Sequence, residues 1–81
     1  MIRRTADEKF LIQLYKSAEA AGSWSAPVDY RRILTLLGQK ETMGKTIMKS
    51  LAQANFIKKL DETNIILTEQ GHRFVLSELD D

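Results

Sequence analysis

Two lysines and two threonines recur along one side of a short segment in the middle of the chain. Thr42, Lys45, Thr46 and Lys49 follow one another at helical spacing, and Gln53 continues the row. In a helix this spacing puts all five side chains on one face. Lysine contributes a positive charge, and the threonine hydroxyl can donate and accept hydrogen bonds. Because the face contains no acid, its expected chemistry is the binding of an anion.

The opposite side of the same segment is apolar and has the same period. Its members are Gly44, Ile47, Met48, Leu51 and Ala54. An apolar side at this spacing packs against protein, so a helix over 41–54 would show its polar, cationic face to solvent. That is the layout of a helix that enters a DNA groove. The alternative is the ordinary solvated side of a surface helix, and the flanking elements must distinguish the two.

The segment from Gly38 to Thr46 is similar to a phosphate-binding loop, since it ends in Gly44-Lys45-Thr46. That loop needs four residues between its glycines, because the spacing sets which backbone N–H groups converge on the phosphates. Here five residues separate Gly38 from Gly44. We therefore do not expect a nucleotide-binding loop.

Catalytic and metal-binding side chains are sparse. His72 is the only histidine, and there is no cysteine. No nucleophile, base and acid occur in a recognisable set, so we expect no enzyme activity, no metal and no cofactor. His72 falls on the predicted last helix and is expected at the surface or at an interface.

Composition indicates one folded domain over 1–81. The chain is 43% hydrophobic and 28% charged, as in ordinary globular proteins. The lack of cysteine fits a reducing cytoplasm, where we expect the protein to act. No apolar run approaches the roughly 20 residues of a membrane-spanning helix, and Thr5-Ala6-Asp7-Glu8 stands where a signal peptide would be apolar.

Charge is distributed unevenly although the net charge is only +1. Residues 29–60 contain seven bases and two acids, which gives +5, and residues 61–81 contain one base and six acids, which gives −5. The basic part includes the helix described above. A protein whose positive and negative charges are separated in this way presents one face suited to an anion.

Local patterns predict the elements that must position this face. Thr5 and Glu8 form a capping-box pattern before a helix over 6–21, which Gly22 ends. An extended connector around 24–28 contains Trp24, which is expected to plug a core edge. Asp29 caps a second helix that Gly38 ends, and the next helix starts at Lys40 or Glu41.

The rest of the chain predicts a hairpin and a last helix. Asn55 is expected to end the long helix in a left-handed conformation. Strands over 56–60 and 65–67 flank a turn at 61–64. Thr68 then caps a helix that ends near Leu79, with Phe74, Val75 and Leu79 facing inward.

This order of elements resembles a winged helix-turn-helix domain of the bacterial and archaeal regulator type, across residues 5–79. The residues that support the resemblance are Leu37-Gly38 at the turn, the stretch 47–57, and Leu67-Thr68-Glu69-Gln70-Gly71 where the wing enters the last helix. The fold class expected is mainly α with a small β-hairpin: a three-helix core, a two-stranded wing and a C-terminal helix.

The resemblance implies double-stranded DNA as the partner and transcriptional regulation as the role. Helix 41–54 would read the major groove, and the wing would touch the backbone or the minor groove. The candidate DNA contacts are Arg31, Arg32, Lys40, Thr42, Met43, Lys45, Thr46, Lys49 and Lys58. A homodimer through the first and last helices would double the footprint of a weakly charged monomer.

Two residues depart from the family pattern. Asp61 and Glu62 stand at the wing tip, where a DNA-contacting wing normally presents lysine or arginine. Gly44 stands where a larger apolar residue is usual, and it indicates either close packing or a kink. The alternative function is therefore a winged-helix protein-interaction module without DNA binding.

Overall fold

The structure, a computed structural model, describes residues 5–79, so Arg3, Arg4, Asp80 and Asp81 of the charge distribution lie outside it. Within that range it contains four α-helices and three β-strands. In chain order these are α1 (Ala6–Ala20), β1 (Val28–Asp29), α2 (Tyr30–Leu37), α3 (Glu41–Gln53), β2 (Ile57–Lys59), β3 (Asn64–Leu67) and α4 (Glu69–Leu79). The predicted helices are all present, with bounds shifted by one or two residues.

Helix α1 lies at the centre of the fold and contacts α2, α3, α4 and β3. The predicted capping box starts it: the Glu8 backbone N–H donates to Thr5 Oγ1 at 3.2 Å, and Glu8 Oε1 accepts from the Thr5 N–H at 3.3 Å. Its apolar stripe is fully buried, as helical spacing predicted. The buried residues include Phe10, Leu11, Leu14 and Ala18.

The turn between α2 and α3 forms as the sequence predicts. Gly38 adopts a left-handed φ of 68°, and Asn55 adopts a φ of 63° just after α3. Gly44 is buried where α3 meets α2, and a Cβ on it would press into the Leu34 side chain. Since α3 continues without a break over Glu41–Gln53, this glycine permits close packing of the two helices and does not interrupt α3.

The predicted hairpin of two strands is present as β2 and β3, and a third strand that was not predicted, β1, joins it to form the sheet. All pairs are antiparallel, in the order β1-β3-β2. Val28 of β1 pairs with Ile65, and Ile57 of β2 pairs with Leu67. A strand of two residues is too short to show alternation in the sequence. Its pairing depends on partners that lie 35 residues (Asp29 with Asn64) and 37 residues (Val28 with Ile65) later in the chain. The extra strand covers the free edge of β3.

Thr68 joins the end of the sheet to the end of α3. Its hydroxyl donates to the Asn55 carbonyl oxygen at 2.6 Å and accepts from the Gly71 N–H at 3.0 Å. The Thr68 N–H donates to the Phe56 carbonyl oxygen at 3.0 Å. These bonds fix where α4 starts, and they account for the Leu-Thr-x-x-Gly pattern of the sequence.

The inward face of α4 is shorter than predicted. Val75 is fully buried, and the half-buried Phe74 stacks on Phe56 with ring centroids 5.0 Å apart. Leu79, expected to face inward, is 42% exposed, and Leu76 is 44% exposed. The prediction for Leu79 is wrong because helical spacing gives the direction of a side chain and not whether packing partners extend to the last turn.

Replacing Thr68 by valine should lower the free energy of unfolding by about 1–2 kcal/mol, because the Gly71 N–H and the Asn55 carbonyl each lose a partner while the volume is kept. Serine at the same position keeps the hydroxyl and should retain most of that stability. Urea denaturation of both variants measures the difference. Equal stability of the valine and serine variants would contradict a role for the hydroxyl.

Candidate nucleic-acid interface

The polar face of α3 faces outward as predicted. Thr42, Met43, Lys45, Thr46 and Lys49 are all exposed. On the opposite side Gly44, Ile47 and Leu51 are buried. The Thr46 hydroxyl donates to the Thr42 carbonyl oxygen at 3.2 Å, so in this state it is left to act as an acceptor. The amphipathic pattern therefore gives the correct orientation of this helix.

The single acid of α3 is held by another element. The Tyr30 hydroxyl at the start of α2 donates to Glu41 Oε1 at 3.0 Å. This hydrogen bond raises the pKa of Tyr30 above its ordinary value. It also ties the first turn of α3 to the first turn of α2. The outer face from Thr42 to Lys49 consequently stays free of acidic side chains.

A groove of about 430 Å³ runs between α3 and the hairpin formed by β2 and β3. Three lysines and one acid contribute to it, and the remaining lining is largely apolar. The lining residues are Tyr30, Lys45, Met48, Lys49, Ala52, Ile57, Lys59, Glu62 and Ile65. Among residues 5–79, none of the three lysines has a side-chain hydrogen bond or ion pair. Their ammonium groups are available to a ligand.

Lys59 belongs to this groove although it was not among the candidate contacts. Ile57 and Lys59 lie on the same side of β2, because side chains two apart along a strand share a face. Ile57 is buried and lines the groove with Lys59. Once the strand is known to start at Ile57, the alternation of side chains along it identifies Lys59 as a residue on the same face. By the same alternation Lys58 lies on the other face of β2.

The other cationic candidates lie apart from the groove. Arg31 forms a two-point ion pair with Asp29, with Nη2 2.8 Å from Oδ2 and Nε 3.1 Å from Oδ1. This pairing lowers the pKa of Asp29. Arg32 lines a separate depression between α1 and α2 together with Lys16. Lys40 is exposed at the N-cap of α3 and makes no side-chain capping bond.

The two acids at the hairpin tip differ in their surroundings. Asp61 Oδ1 accepts from the backbone N–H groups of Thr63 at 2.9 Å and Asn64 at 2.8 Å, and Oδ2 accepts from Asn64 Nδ2 at 3.1 Å. These hydrogen bonds lower the pKa of Asp61 to about 2. Asp61 is thus a structural residue of the turn. Glu62 is exposed and has no such partner among the described residues.

Asp61 should make the hairpin sensitive to acid. Because its folded pKa of about 2 lies below the ordinary 3.8, its contribution is fully present above about pH 4 and is lost as pH falls toward 2. Urea denaturation across this range should show a smaller loss of stability for Asp61→Asn than for the wild type. The pKa of Asp29 is also lowered. Asp29 therefore contributes to the acid-dependent loss of stability in both proteins. If the free energy of unfolding falls equally with pH in the two proteins, the role of Asp61 is contradicted.

An aromatic stack of three residues lies outside the groove. His72 lies against Trp24, with ring centroids 4.2 Å apart and ring planes 7° apart, and against Tyr15, with centroids 5.7 Å apart. Trp24 and Tyr15 are half-buried against the core, which confirms the core-edge position predicted for Trp24. The stack joins α1, the connector and α4. It was missed because nothing in the local sequence pairs these three residues.

Other kinds of site find little support in the part of the chain that the structure describes. Residues 5–79 bring together no group of three or more histidine or carboxylate side chains that could hold a metal ion. None of the described helices combines the length and apolarity that crossing a membrane requires.

Comparison of the chain with family models, curated proteins and solved structures found no match.

Proposed function

We propose that this protein is a winged-helix DNA-binding domain that acts in transcriptional regulation. The four helices and the three-stranded antiparallel sheet are compatible with that fold. The observation that carries the proposal is the groove between α3 and the hairpin, where Lys45, Lys49 and Lys59 have no side-chain partner among the described residues. Unpaired lysines on one side of a protruding helix are the arrangement that binding a phosphate backbone requires.

In the proposed complex α3 lies in the major groove. Thr42, Lys45, Thr46 and Lys49 face the bases and the adjoining phosphates, and the exposed Met43 offers an apolar contact to a thymine methyl group. The Thr46 hydroxyl, which donates to its own helix, accepts from a base amino group. This arrangement lets α3 carry both phosphate binding and sequence reading.

The groove lysines and the other basic side chains contact different parts of the DNA backbone. Lys59, across the groove from α3, binds a phosphate at the edge of the major groove. Lys40, Lys58 and the two arginines of α2 serve the flanking backbone, and Arg31 does so while paired to Asp29. Phosphate contacts of this kind set position and affinity but do not read sequence.

A second copy of the chain would complete the site. Helix α4 carries two exposed apolar side chains three residues apart, Leu76 and Leu79. Pairing through α4 and α1 covers them and places two copies of α3 on neighbouring half-sites. Two leucines make a small contact compared with about 800 Å² per partner in a stable interface. We therefore propose that pairing occurs on DNA.

Titration of labelled mixed-sequence duplex DNA by fluorescence polarisation, repeated at increasing salt, tests this function. Binding should weaken linearly on a log–log plot, with a slope of about 0.9 per phosphate contact. The three groove lysines and the four basic residues of the flanks set an upper limit of about seven phosphate contacts. Absence of binding at low salt would overturn the proposal.

The second candidate function is a winged-helix protein-interaction module. The observation that favours it is the number of exposed apolar side chains outside the groove: Leu36 on α2 is 57% exposed, and Leu76 and Leu79 on α4 are also uncovered. If Leu36→Glu abolishes capture of a partner while Lys45→Glu leaves it intact, this function stands in place of DNA binding.

A further inference from the structure

Glu62 is the one acidic side chain among the residues that line the groove between α3 and the hairpin. It shares the groove with Lys45, Lys49 and Lys59, yet it forms no ion pair with any of them in the described structure. Its neighbour Asp61 is fully engaged in the hairpin turn. Of the two acids at the tip, only Glu62 lines the groove.

The hairpin fixes where this charge is placed. Lys59 pairs with Ile65 in the sheet, and the Leu60 N–H donates to the Asn64 carbonyl oxygen at 2.9 Å. Asp61 holds the residues that follow through its hydrogen bonds to Thr63 and Asn64. The backbone on both sides of Glu62 is consequently held, which places this residue at the edge of the groove.

We propose that Glu62 weakens the binding of DNA phosphates in this groove and so limits binding that is independent of sequence. The inference rests on the proposed DNA-binding function. A carboxylate repels every phosphate whatever the base sequence. Contacts from the outer face of α3 to base edges do not carry this penalty, so base-dependent contacts make up a larger share of the total binding free energy.

The experiment compares Glu62→Gln with Glu69→Gln on mixed-sequence duplex DNA. Both substitutions remove one negative charge, but Glu69 lies on α4, where it pairs with Arg73, and does not line the groove. The control therefore removes any effect of net charge alone. Neither substitution disturbs a buried residue, since both side chains are exposed, and circular dichroism verifies the fold.

We expect Glu62→Gln to bind mixed-sequence DNA about two- to tenfold more tightly than Glu69→Gln at low salt. The gain should shrink toward physiological salt, where charges are screened over about 8 Å. A base-specific contact would not show this shrinkage to the same degree. The salt dependence thus separates electrostatic repulsion from a change in local structure.

Two results would overturn the inference while leaving DNA binding in place. Equal affinities of Glu62→Gln and Glu69→Gln would show that the Glu62 charge does not reach the DNA. Weaker binding by Glu62→Gln would show that the carboxylate makes a favourable contact, such as accepting from a cytosine amino group. Absence of DNA binding by the wild type and by Glu62→Gln would instead remove both the inference and the proposed function.

Discussion

Charge reversal at Lys45 and Lys49 should weaken binding to mixed-sequence DNA by on the order of 100-fold at low salt, with the fold unchanged. Both lysines lie on the outer face of α3 and line the groove toward the hairpin, without a side-chain partner among the described residues. Glutamate at these positions removes two phosphate contacts and adds two repulsive charges. Polarisation titration of Lys45→Glu/Lys49→Glu measures the loss directly.

The milder double variant, Lys45→Gln/Lys49→Gln, counts the contacts. Its salt slope should fall by about 1.8, since each phosphate contact contributes about 0.9. For the charge-reversal variant Lys45→Glu/Lys49→Glu, the matched control is Lys9→Glu/Lys16→Glu on α1, which makes the same change in net charge at two exposed lysines outside the groove. If that control loses as much affinity as the α3 variant, the interface has been placed on the wrong surface.

Alanine at Gly71 should lower the free energy of unfolding by about 3 kcal/mol. The added Cβ would collide with the Phe56 carbonyl oxygen and lie 2.9 Å from Leu67 Cδ1 and 3.0 Å from the Phe56 carbonyl carbon. Phe56 cannot move away freely, because its carbonyl oxygen accepts from the Thr68 N–H. Small domains have only about 5–15 kcal/mol in total, so urea denaturation should show a large shift of the midpoint.

Two other positions test whether this cost comes from the backbone collision. Gly44→Ala meets only side-chain atoms of Leu34, which can repack, and alanine recovers up to about 1 kcal/mol of helix propensity. Its cost should therefore be clearly smaller. Ser77→Ala, at an exposed position on α4, should stay within about 0.5 kcal/mol of the wild type. If the Gly71→Ala variant is as stable as the Ser77→Ala variant, α4 does not approach Phe56 this closely.

Helix boundaries and helix faces could be predicted because their determinants are local. The capping box at Thr5 and Glu8, the left-handed residues Gly38 and Asn55, and the acid-free face of α3 each depend on residues within one or two turns. Hydrogen bonds and burial in the structure agree with these patterns. Their energies arise from neighbours in the chain, so the sequence alone contains them.

Packing between distant segments decided the features that local patterns do not encode. Strand β1 exists because Val28 meets Ile65, and the groove contains Lys59 because β2 pairs with β3 in one register. Likewise, Leu79 is exposed because none of residues 5–78 covers it at the last turn of α4.

The helices, their caps and the cationic face of α3 could be predicted, since each follows from the spacing of nearby residues. Long-range packing, in contrast, places Asp61 in the hairpin turn and Glu62 in the lining of the groove with Lys45, Lys49 and Lys59. Two adjacent acids look alike in a sequence. Their environments differ because a turn directs one carboxylate to its own backbone and leaves the other beside a helix from another part of the chain.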